Sequence, residues 1–381
     1  PERKPAPKTV LLWLALTAIA SLMLLATTNR ICLDLAVVPL LWVLPLTTYL
    51  LTFIICFAGD RWYNRWIFVP LFVISAMTAA YLLPVQPDRI WVEIAVYTVT
   101  LFACCMICHG ELMRLKPAPN HLTLFYLSVA AGGALGGALV ALVAPYFFND
   151  YWEYHTGMAA CGLVFIICTH RQWSPAPNPR RRWLAWSAIV VLFGGLNVLL
   201  IWDIVHGRRN VIDKSRSFYG VVSVTQTTDT DGRQSRGLNH GRTLHGFQYH
   251  DPAFRSWTTT YYGAFSGIGV ALEYFRRDPP TAVERKNLRI GVIGLGVGTI
   301  CAHAKTGDYM RIYEINPDVA RFARQYFTYL TDSAAEVDHL IGDARIMLEN
   351  EARRGEYQRF DILAIDAFNS DAPPLHLLTR E

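Results

Sequence analysis

Charge is what this sequence has least of. Only 17% of its 381 residues are charged, against roughly 25% in ordinary soluble proteins. The shortage falls on one half, because residues 1–206 contain 13 Lys and Arg and 9 Asp and Glu, whereas residues 207–381 contain 22 and 21. A single soluble domain is therefore excluded, and so is a protein that lies wholly within a membrane.

A strong excess of basic charge is also missing. The net charge is +5, of which the first half carries +4 and the second half +1. Proteins that bind DNA or RNA need a basic patch or stripe to neutralise phosphates. We therefore exclude nucleic acid as a partner.

Long apolar runs dominate the first half. A hydrocarbon core of about 30 Å needs roughly 20 residues of helix, and seven runs approach or exceed this length. They lie near residues 9–28, 31–58, 66–84, 90–108, 122–146, 154–169 and 183–202. Residues 1–206 are therefore predicted to form a multi-pass helical membrane domain, with the lipid bilayer as its partner.

The loop charges predict how these helices are oriented. Loops on the side of residue 1 carry eleven basic residues, and the opposite loops carry only Arg30 and Arg89. The eleven are Arg3, Lys4, Lys8, Arg61, Arg65, Arg114, Lys116, Arg171, Arg180, Arg181 and Arg182. Because basic loops stay in the cytoplasm, residue 1 is predicted to be cytoplasmic. Seven spans would then place the second half outside.

Cysteine is nearly absent from the second half, where only Cys301 of the eight occurs. The others lie in or beside apolar runs, where Cys behaves as a small hydrophobic residue, so we predict no structural disulfides. Cys105, Cys108 and His109 fit the C-x-x-C-H pattern of haem attachment. Haem is attached on the outer side, whereas the charge bias places this loop inside, so we do not expect covalent haem there.

A small β region follows residue 206. Alternating residues at 219–226 predict a strand, Asp231-Gly232 predicts a hairpin turn, and further strands are expected over 234–248. Residues 258–275 are predicted to be helical. His240, His245 and His250 recur every five residues, a spacing that does not converge on one side of an element, so we expect no metal site there.

A glycine turn gives the most specific motif. Residues 288–293 form an apolar strand, Gly294, Gly296 and Gly298 follow it, and Thr299 is expected to open a helix to Lys305. Glu314 lies twenty residues after Gly294, at the end of a second strand near 310–315. In nucleotide-binding α/β units the glycines let the backbone approach the ligand, and the acid binds ribose hydroxyls. Thr299 in place of a third fingerprint glycine favours an adenosyl-sulfonium cofactor over NAD.

Two further acids follow predicted strands. Asp343 ends a third strand, and Asp366 ends a fourth at 360–365. Ligands of open parallel sheets lie beyond the carboxyl ends of the strands, so we expect Asp366 to lie over the ligand-binding pocket of this sheet. Residues 286–381 are therefore predicted to form the first four strands of a Rossmann-like nucleotide-binding domain.

These motifs carry a family resemblance. Together with the segments at 313–317, 342–344 and 366–373, they resemble the polyamine aminopropyltransferases, the spermidine synthases. The segments at 42–46, 109–112 and 125–127 make nearly the whole chain similar to bacterial membrane-fused spermidine-synthase-like proteins. The resemblance implies a class I methyltransferase-like fold for 286–381, and it likens residues 207–277 to the N-terminal region of spermidine synthase.

The resemblance also implies residue roles. Glu314 would hold the ribose of decarboxylated S-adenosylmethionine, and Asp343 its adenine amine. Asp366 would be the catalytic base that takes a proton from putrescine, a small polyamine. The amine and cofactor pockets would be lined by Gln248, by Tyr261 or Tyr262, and by Asp371.

The sequence departs from the family at several points. Val297 stands where the soluble enzymes have an acid that binds the aminopropyl ammonium, and Asn316 replaces a second acid after Glu314. The acidic pair is stretched to Asp366 and Asp371. Only fifteen residues follow Asp366, where the family has about three more strands. With a first residue that is not Met, this leads us to expect a piece of a longer protein.

Three functions remain open at this point. The first is a membrane-anchored aminopropyltransferase or a related transferase that uses S-adenosylmethionine. The second is a catalytically inactive structural or assembly subunit of a membrane complex, and the third is a transporter-like bundle with a polyamine-sensing domain. S-adenosylmethionine is made in the cytoplasm, so an outside location of the second half would count against the first function.

Overall fold

The computed structural model describes residues 4–35, 38, 40–85, 87, 89–172, 179–207, 210–277, 287–367 and 375–377. The chain divides into two compact units, Pro1–Arg209 and Asn210–Glu381. We call them the helical unit and the sheet unit. The division lies close to the change in composition at residue 206, whereas the finer division at residues 277 and 286 stays a prediction.

The helical unit contains a helix in each of the seven apolar runs. Its helices are α1 (Pro7–Asn29), α2 (Val43–Ala58), α3 (Arg65–Val85), α4 (Ile90–Arg114), α5 (Leu122–Ala138), α6 (Ala144–Phe147), α7 (Glu153–Gln172) and α8 (Pro179–His206). Two π-helical segments, Arg30–Leu35 and Leu139–Val143, directly follow α1 and α5. The predicted run at 31–58 is thus divided, because its first residues continue α1 and α2 begins only at Val43.

Five described segments are long and apolar enough to cross a membrane. They are Pro7–Leu35, Arg65–Val85, Ile90–Arg114, Pro119–Phe147 and Trp186–His206. Helix α2 is apolar but has only 16 residues, fewer than the roughly 20 that a straight span needs. These helices are consistent with a membrane protein, and the number of seven spans stays a prediction.

Small residues let two helices of this unit approach closely. A Cβ atom added at Gly132 of α5 would lie 2.0 Å from Thr17 Oγ1 of α1, and one at Gly136 would lie 2.1 Å from the Ala18 carbonyl oxygen. Glycine pairs at this spacing permit backbone contact between membrane helices. The contact of α5 with α1 therefore depends on both glycines.

A buried carboxylate in this unit is fully paired. Glu111 of α4 has no exposed surface. Arg65 of α3 donates from Nε over 2.6 Å, and the Tyr63 hydroxyl donates over 2.8 Å, both to Oε1. An unpaired charge at this depth would be strongly destabilising. The ion pair between Arg65 and Glu111 therefore holds α3 against α4.

The sheet unit begins with four antiparallel strands in the order β1-β2-β3-β4. They are β1 (Val211–Ser217), β2 (Gly220–Thr228), β3 (Gln234–His240) and β4 (Thr243–Tyr249). The predicted turn at Asp231-Gly232 joins β2 to β3, and Gly232 has a φ of 81°, which glycine adopts without steric cost. The predicted β region is therefore present.

The helix predicted over 258–275 is present only in part. The structure has a short 3₁₀ helix at Thr260–Tyr262, and α9 (Gly267–Arg277) begins only later. Thr260 has a φ of 57°, outside the α-helical region. The Ser266 hydroxyl accepts a hydrogen bond from the Gly269 backbone N–H, which supports the later start of α9.

Four parallel strands form the second sheet, in the order β7-β6-β5-β8. They are β5 (Arg289–Ile293), β6 (Tyr309–Glu314), β7 (Glu336–Ile341) and β8 (Ile362–Ile365), with α10 (Pro317–Tyr326) and α11 (Ala344–Arg353) between strands. Strands β6 and β7 lie on one side of β5, and β8 lies on the other. The strand order thus reverses at β5, as it does in Rossmann-like domains.

The interior of this sheet is apolar. Ile290, Val292 and Ile312 have no exposed surface, as expected for parallel strands covered on both faces. The helix predicted from Thr299 to Lys305 is instead a 3₁₀ helix at Thr299–His303, because Ala304 is already extended. The buried strands fix where the loops at their carboxyl ends begin.

Candidate functional site

The candidate site lies where β5, β6 and β8 end. Gly294 follows β5, Glu314 is the last residue of β6, and Asp366 follows β8. The Gly294 N–H donates to the Tyr313 carbonyl over 2.8 Å, and the Asp366 N–H donates to the Ile293 carbonyl over 2.8 Å. The sheet ladder therefore continues up to the three site residues, at the point where the strand order reverses.

The glycine turn depends on the absence of side chains. Gly294, Gly296 and Gly298 have φ values of 95°, 54° and 84°, a region that favours glycine. A Cβ atom at Gly294 would lie 2.4 Å from the Asp366 carbonyl oxygen, and one at Gly296 would lie 3.0 Å from the His245 carbonyl oxygen. The turn can pass this close to the end of β8 only because Gly294 has no side chain.

Glu314 joins the glycine turn to the end of β6. Its side chain is buried, with 6% of the residue exposed. Oε2 accepts from the Leu295 N–H over 2.9 Å, and Oε1 accepts from the Asn316 N–H over 2.8 Å. Burial raises the pKa of Glu314, the backbone donors oppose this, and the negative charge of Asp366 raises it further. The Ile315 backbone also interacts with this carboxylate, and a carboxylate has about four lone-pair sites, so one site stays available for a ligand hydroxyl.

Two tyrosines of the 3₁₀ helix contact Asp366. Tyr261 donates its hydroxyl to Asp366 Oδ2 over 3.1 Å, and Tyr262 donates to the same oxygen. Burial raises the pKa of Asp366, while the two hydroxyls oppose the increase. Burial and the neighbouring carboxylate raise the pKa of both tyrosines, so they remain protonated donors. Oδ1 is left as the oxygen that can accept a further proton.

Asp343 lies one strand further from the centre of the site. It follows β7 and caps α11, because Oδ1 accepts from the Ile346 N–H over 3.1 Å. Oδ2 lies 3.1 Å from His376 Nε2. The structure places Asp343 at the same edge of the sheet as Glu314, and its contact with adenine stays a prediction.

Gln248 is engaged in internal contacts. It is 5% exposed, and its Nε2 donates to the Arg255 carbonyl over 2.9 Å and to Thr328 Oγ1 over 3.0 Å. Oε1 accepts from the Thr328 N–H over 2.9 Å. Both amide hydrogens are thus used, so Gln248 links β4 to the segment after α10. Its role in substrate binding stays a prediction, and Asp371 lies outside the described residues.

Val297 is directed toward β4. Its side chain is 1% exposed, and a Cβ atom at Gly246 of β4 would lie 2.7 Å from Val297 Cγ2. Gly246 was not identified from the sequence, although a glycine within a strand often marks such a close approach. Valine and glycine together fill this part of the turn with apolar atoms.

Two histidines of the β region lie near each other. The rings of His240 and His245 are 5.9 Å apart between centroids. Burial, together with the charge of His240, lowers the pKa of His245 to about 4. His245 is therefore neutral at physiological pH, and its backbone carbonyl is the group that approaches Gly296.

Comparison with known proteins gives a partial match. The polyamine aminopropyltransferase of Vibrio vulnificus (strain CMCP6) is 29% identical to this chain over 198 residues, which are 51% of the chain. The chain spans 60% of the length of that relative. No family model matches the chain, and no solved structure matches it. The similarity supports a spermidine-synthase-like relationship at the level of the family.

Proposed function

We propose that the sheet unit is a spermidine-synthase-like transferase that moves the aminopropyl group of decarboxylated S-adenosylmethionine to a small polyamine. One observation carries the proposal. Asp366, with two tyrosine hydroxyls on its Oδ2, lies beside the glycine turn and in the electrostatic range of Glu314. A basic carboxylate and a glycine turn of the kind that suits an adenosyl group therefore lie side by side at the end of the sheet.

The residues of the turn fit an adenosyl group. The glycines hold residues 294–298 in a tight turn with positive φ at three positions, and Glu314 is held in place by the Leu295 and Asn316 backbone donors. A lone pair that the backbone donors leave on Glu314 suits a hydroxyl of a ribose. Asp343, at the end of the next strand, is the candidate for the adenine amine.

Asp366 supplies the acid–base chemistry. An ammonium has no lone pair, so the amine must lose a proton before it can attack carbon. Oδ1 of Asp366 takes that proton, and Tyr261 and Tyr262 hold the carboxylate through Oδ2. When bound, the sulfonium cofactor supplies the aminopropyl carbon, and the electron pair of the broken C–S bond leaves with sulfur as a neutral thioether. A raised pKa makes Asp366 a stronger base for this step.

The apolar helices would anchor this unit in the bacterial cytoplasmic membrane. Basic loop residues favour a cytoplasmic residue 1, and with that orientation the side of the sheet unit depends on whether the number of spans is even or odd. The proposed transferase needs a cytoplasmic sheet unit because its cofactor is made there. Five or seven spans would place the unit outside, and six would place it inside.

Val297 favours a second candidate, a catalytically inactive subunit of a membrane complex. The resemblance assigns this position to an acid that binds the aminopropyl ammonium, and here the position is buried and apolar against Gly246. An apolar side chain cannot neutralise an ammonium, so the proposed adenosyl site would persist without selectivity for the decarboxylated cofactor.

Calorimetric titration of the purified full chain in detergent tests both candidates. The transferase is expected to bind methylthioadenosine and decarboxylated S-adenosylmethionine in the micromolar range and to release methylthioadenosine when putrescine is added. Saturable binding without release would support the inactive subunit. Absence of binding to either compound would refute the adenosyl site itself.

A further inference from the structure

Three cysteine thiols meet inside the helical unit, away from the site described above. Cys104 and Cys108 are four residues apart on α4 and therefore lie on one face of that helix. Cys161 reaches them from α7. Their three Sγ atoms all lie within 4.8 Å of one another, and none of the three residues has exposed surface. We call this group the cysteine triad.

The triad has the dimensions of a sulfur-ligand site. Thiolate sulfurs lie about 2.3 Å from a bound d¹⁰ ion such as zinc, so three of them in a plane around an ion lie about 4 Å apart. Cys104, Cys108 and Cys161 are not in disulfides. A small inward movement of the three side chains would therefore bring every sulfur to bonding distance.

We propose that the cysteine triad binds one monovalent thiophilic ion, Cu(I). Soft sulfur ligands select Cu(I), zinc and iron–sulfur clusters over hard cations. In the part of the chain that the structure describes, no fourth His, Cys, Asp or Glu ligand atom joins the triad. A three-sulfur site suits Cu(I), whereas structural zinc is almost always four-coordinate.

A neighbouring cysteine offers a matched control. Cys105 follows Cys104 on α4 and is equally buried. Its Sγ lies 4.0 Å from the Ala20 carbonyl oxygen of α1, and it is not part of the triad. Cys105→Ser therefore changes the same helix at the same depth without removing a proposed ligand.

Anaerobic titration of the reduced full chain in detergent with Cu(I) tests the proposal, with a chromogenic Cu(I) chelator as competitor. We expect one tightly held Cu(I) per chain, at least 100-fold weaker binding in Cys108→Ser and in Cys161→Ser, and unchanged binding in Cys105→Ser. Wild-type protein that loses all its Cu(I) to the chelator would overturn the proposal. Equal losses in Cys105→Ser and Cys108→Ser would also overturn it.

A second measurement does not depend on variants that fold. X-ray absorption of the copper-loaded wild-type chain should show three sulfur neighbours and no nitrogen or oxygen neighbour. A spectrum with nitrogen or oxygen ligands would place the ion elsewhere. Stronger retention of Zn²⁺ than of Cu(I) under the same conditions would contradict the assignment of Cu(I).

Discussion

At the scale of the single residue, two opposing influences act on the pKa of Asp366. Burial destabilises its charged form and raises its pKa, whereas the hydroxyls of Tyr262 and Tyr261 stabilise that form and lower it. Because burial is the larger influence, the carboxylate is more basic than an ordinary aspartate. The tyrosines thus orient the base and also limit how basic it becomes.

Replacing Asp366 by Asn should separate catalysis from binding. The amide cannot take a proton, so we expect kcat to fall by about 10²–10⁴-fold, the usual contribution of a general base. The Kd for methylthioadenosine should change by less than about twofold, since the turn and Glu314 stay intact. Release of methylthioadenosine measured by chromatography provides the rate. Asp361→Asn, at the opposite end of β8, serves as the control and should retain the wild-type rate.

The pH profile should report the pKa of Asp366. Activity is expected to fall as the pH decreases, with a midpoint above the usual range of an aspartate, because protonation removes the base. Tyr262→Phe removes a hydrogen bond to the charged form, which raises the pKa further. The midpoint of kcat/KM should therefore move to higher pH in this variant. A shift to lower pH would show that Tyr262 does not stabilise the carboxylate.

Glu314→Gln should weaken cofactor binding. The amide presents an NH₂ group to one of the two backbone donors that now meet the carboxylate, and it offers fewer lone pairs to a ribose. A loss of about 1.4 kcal/mol, which is about tenfold in Kd, is expected for methylthioadenosine in calorimetry. Glu336→Gln, at the start of β7, is the control. Unchanged affinity in Glu314→Gln would show that the ribose lies elsewhere.

At the scale of the element, the turn after β5 does not tolerate a side chain at Gly294. Gly294→Ala adds a Cβ atom 2.4 Å from the Asp366 carbonyl oxygen at a φ of 95°, so we expect it to destabilise the sheet unit by about 1–3 kcal/mol. Gly355 also has a positive φ, 78°, but has nothing within 4 Å of an added Cβ atom. Gly355→Ala therefore measures the backbone strain alone. Equal losses of thermal stability in the two variants would show that the contact with β8 is unimportant.

The sequence predicted the parallel strands better than the segments that connect them. Apolar runs that end in Glu314 and Asp366 are sufficient to locate strands and the edge of the sheet. The helix predicted over 258–275 is only partly present, because Thr260 adopts a left-handed conformation. The Tyr262 hydroxyl also donates to Asp366, a residue more than a hundred positions away. Contacts of this range leave no local pattern.

The same limit applies to several roles of single residues. Gln248 could be noted from the sequence, but its three internal hydrogen bonds depend on the loop at Thr328. Gly132 and Gly136 allow α5 to approach another helix closely, and only the structure identifies α1 as the partner. The acidic residues at the strand ends could thus be identified from the sequence, whereas the contact partners of individual side chains could not.

At the scale of the whole molecule, the side of the sheet unit decides which function is feasible. A fluorescent protein fused after His206 reports the cytoplasm, and an alkaline phosphatase fused there reports the outside. The proposed transferase predicts fluorescence without phosphatase activity, which requires an even number of spans with residue 1 inside. Phosphatase activity would agree with seven spans and would favour the inactive subunit. A pair of fusions before α1 checks the orientation of residue 1.

The close approach of Gly294 to the Asp366 carbonyl has a kinetic consequence. The loop that would carry the adenosyl group rests directly on the backbone of the base. A first ligand that orders this loop would therefore fix the position of the Asp366 carboxylate before the amine binds. We expect an obligatory order of addition in which the nucleoside ligand binds first. Putrescine alone should not bind to the protein, whereas it should bind to the protein that already holds an unreactive nucleoside.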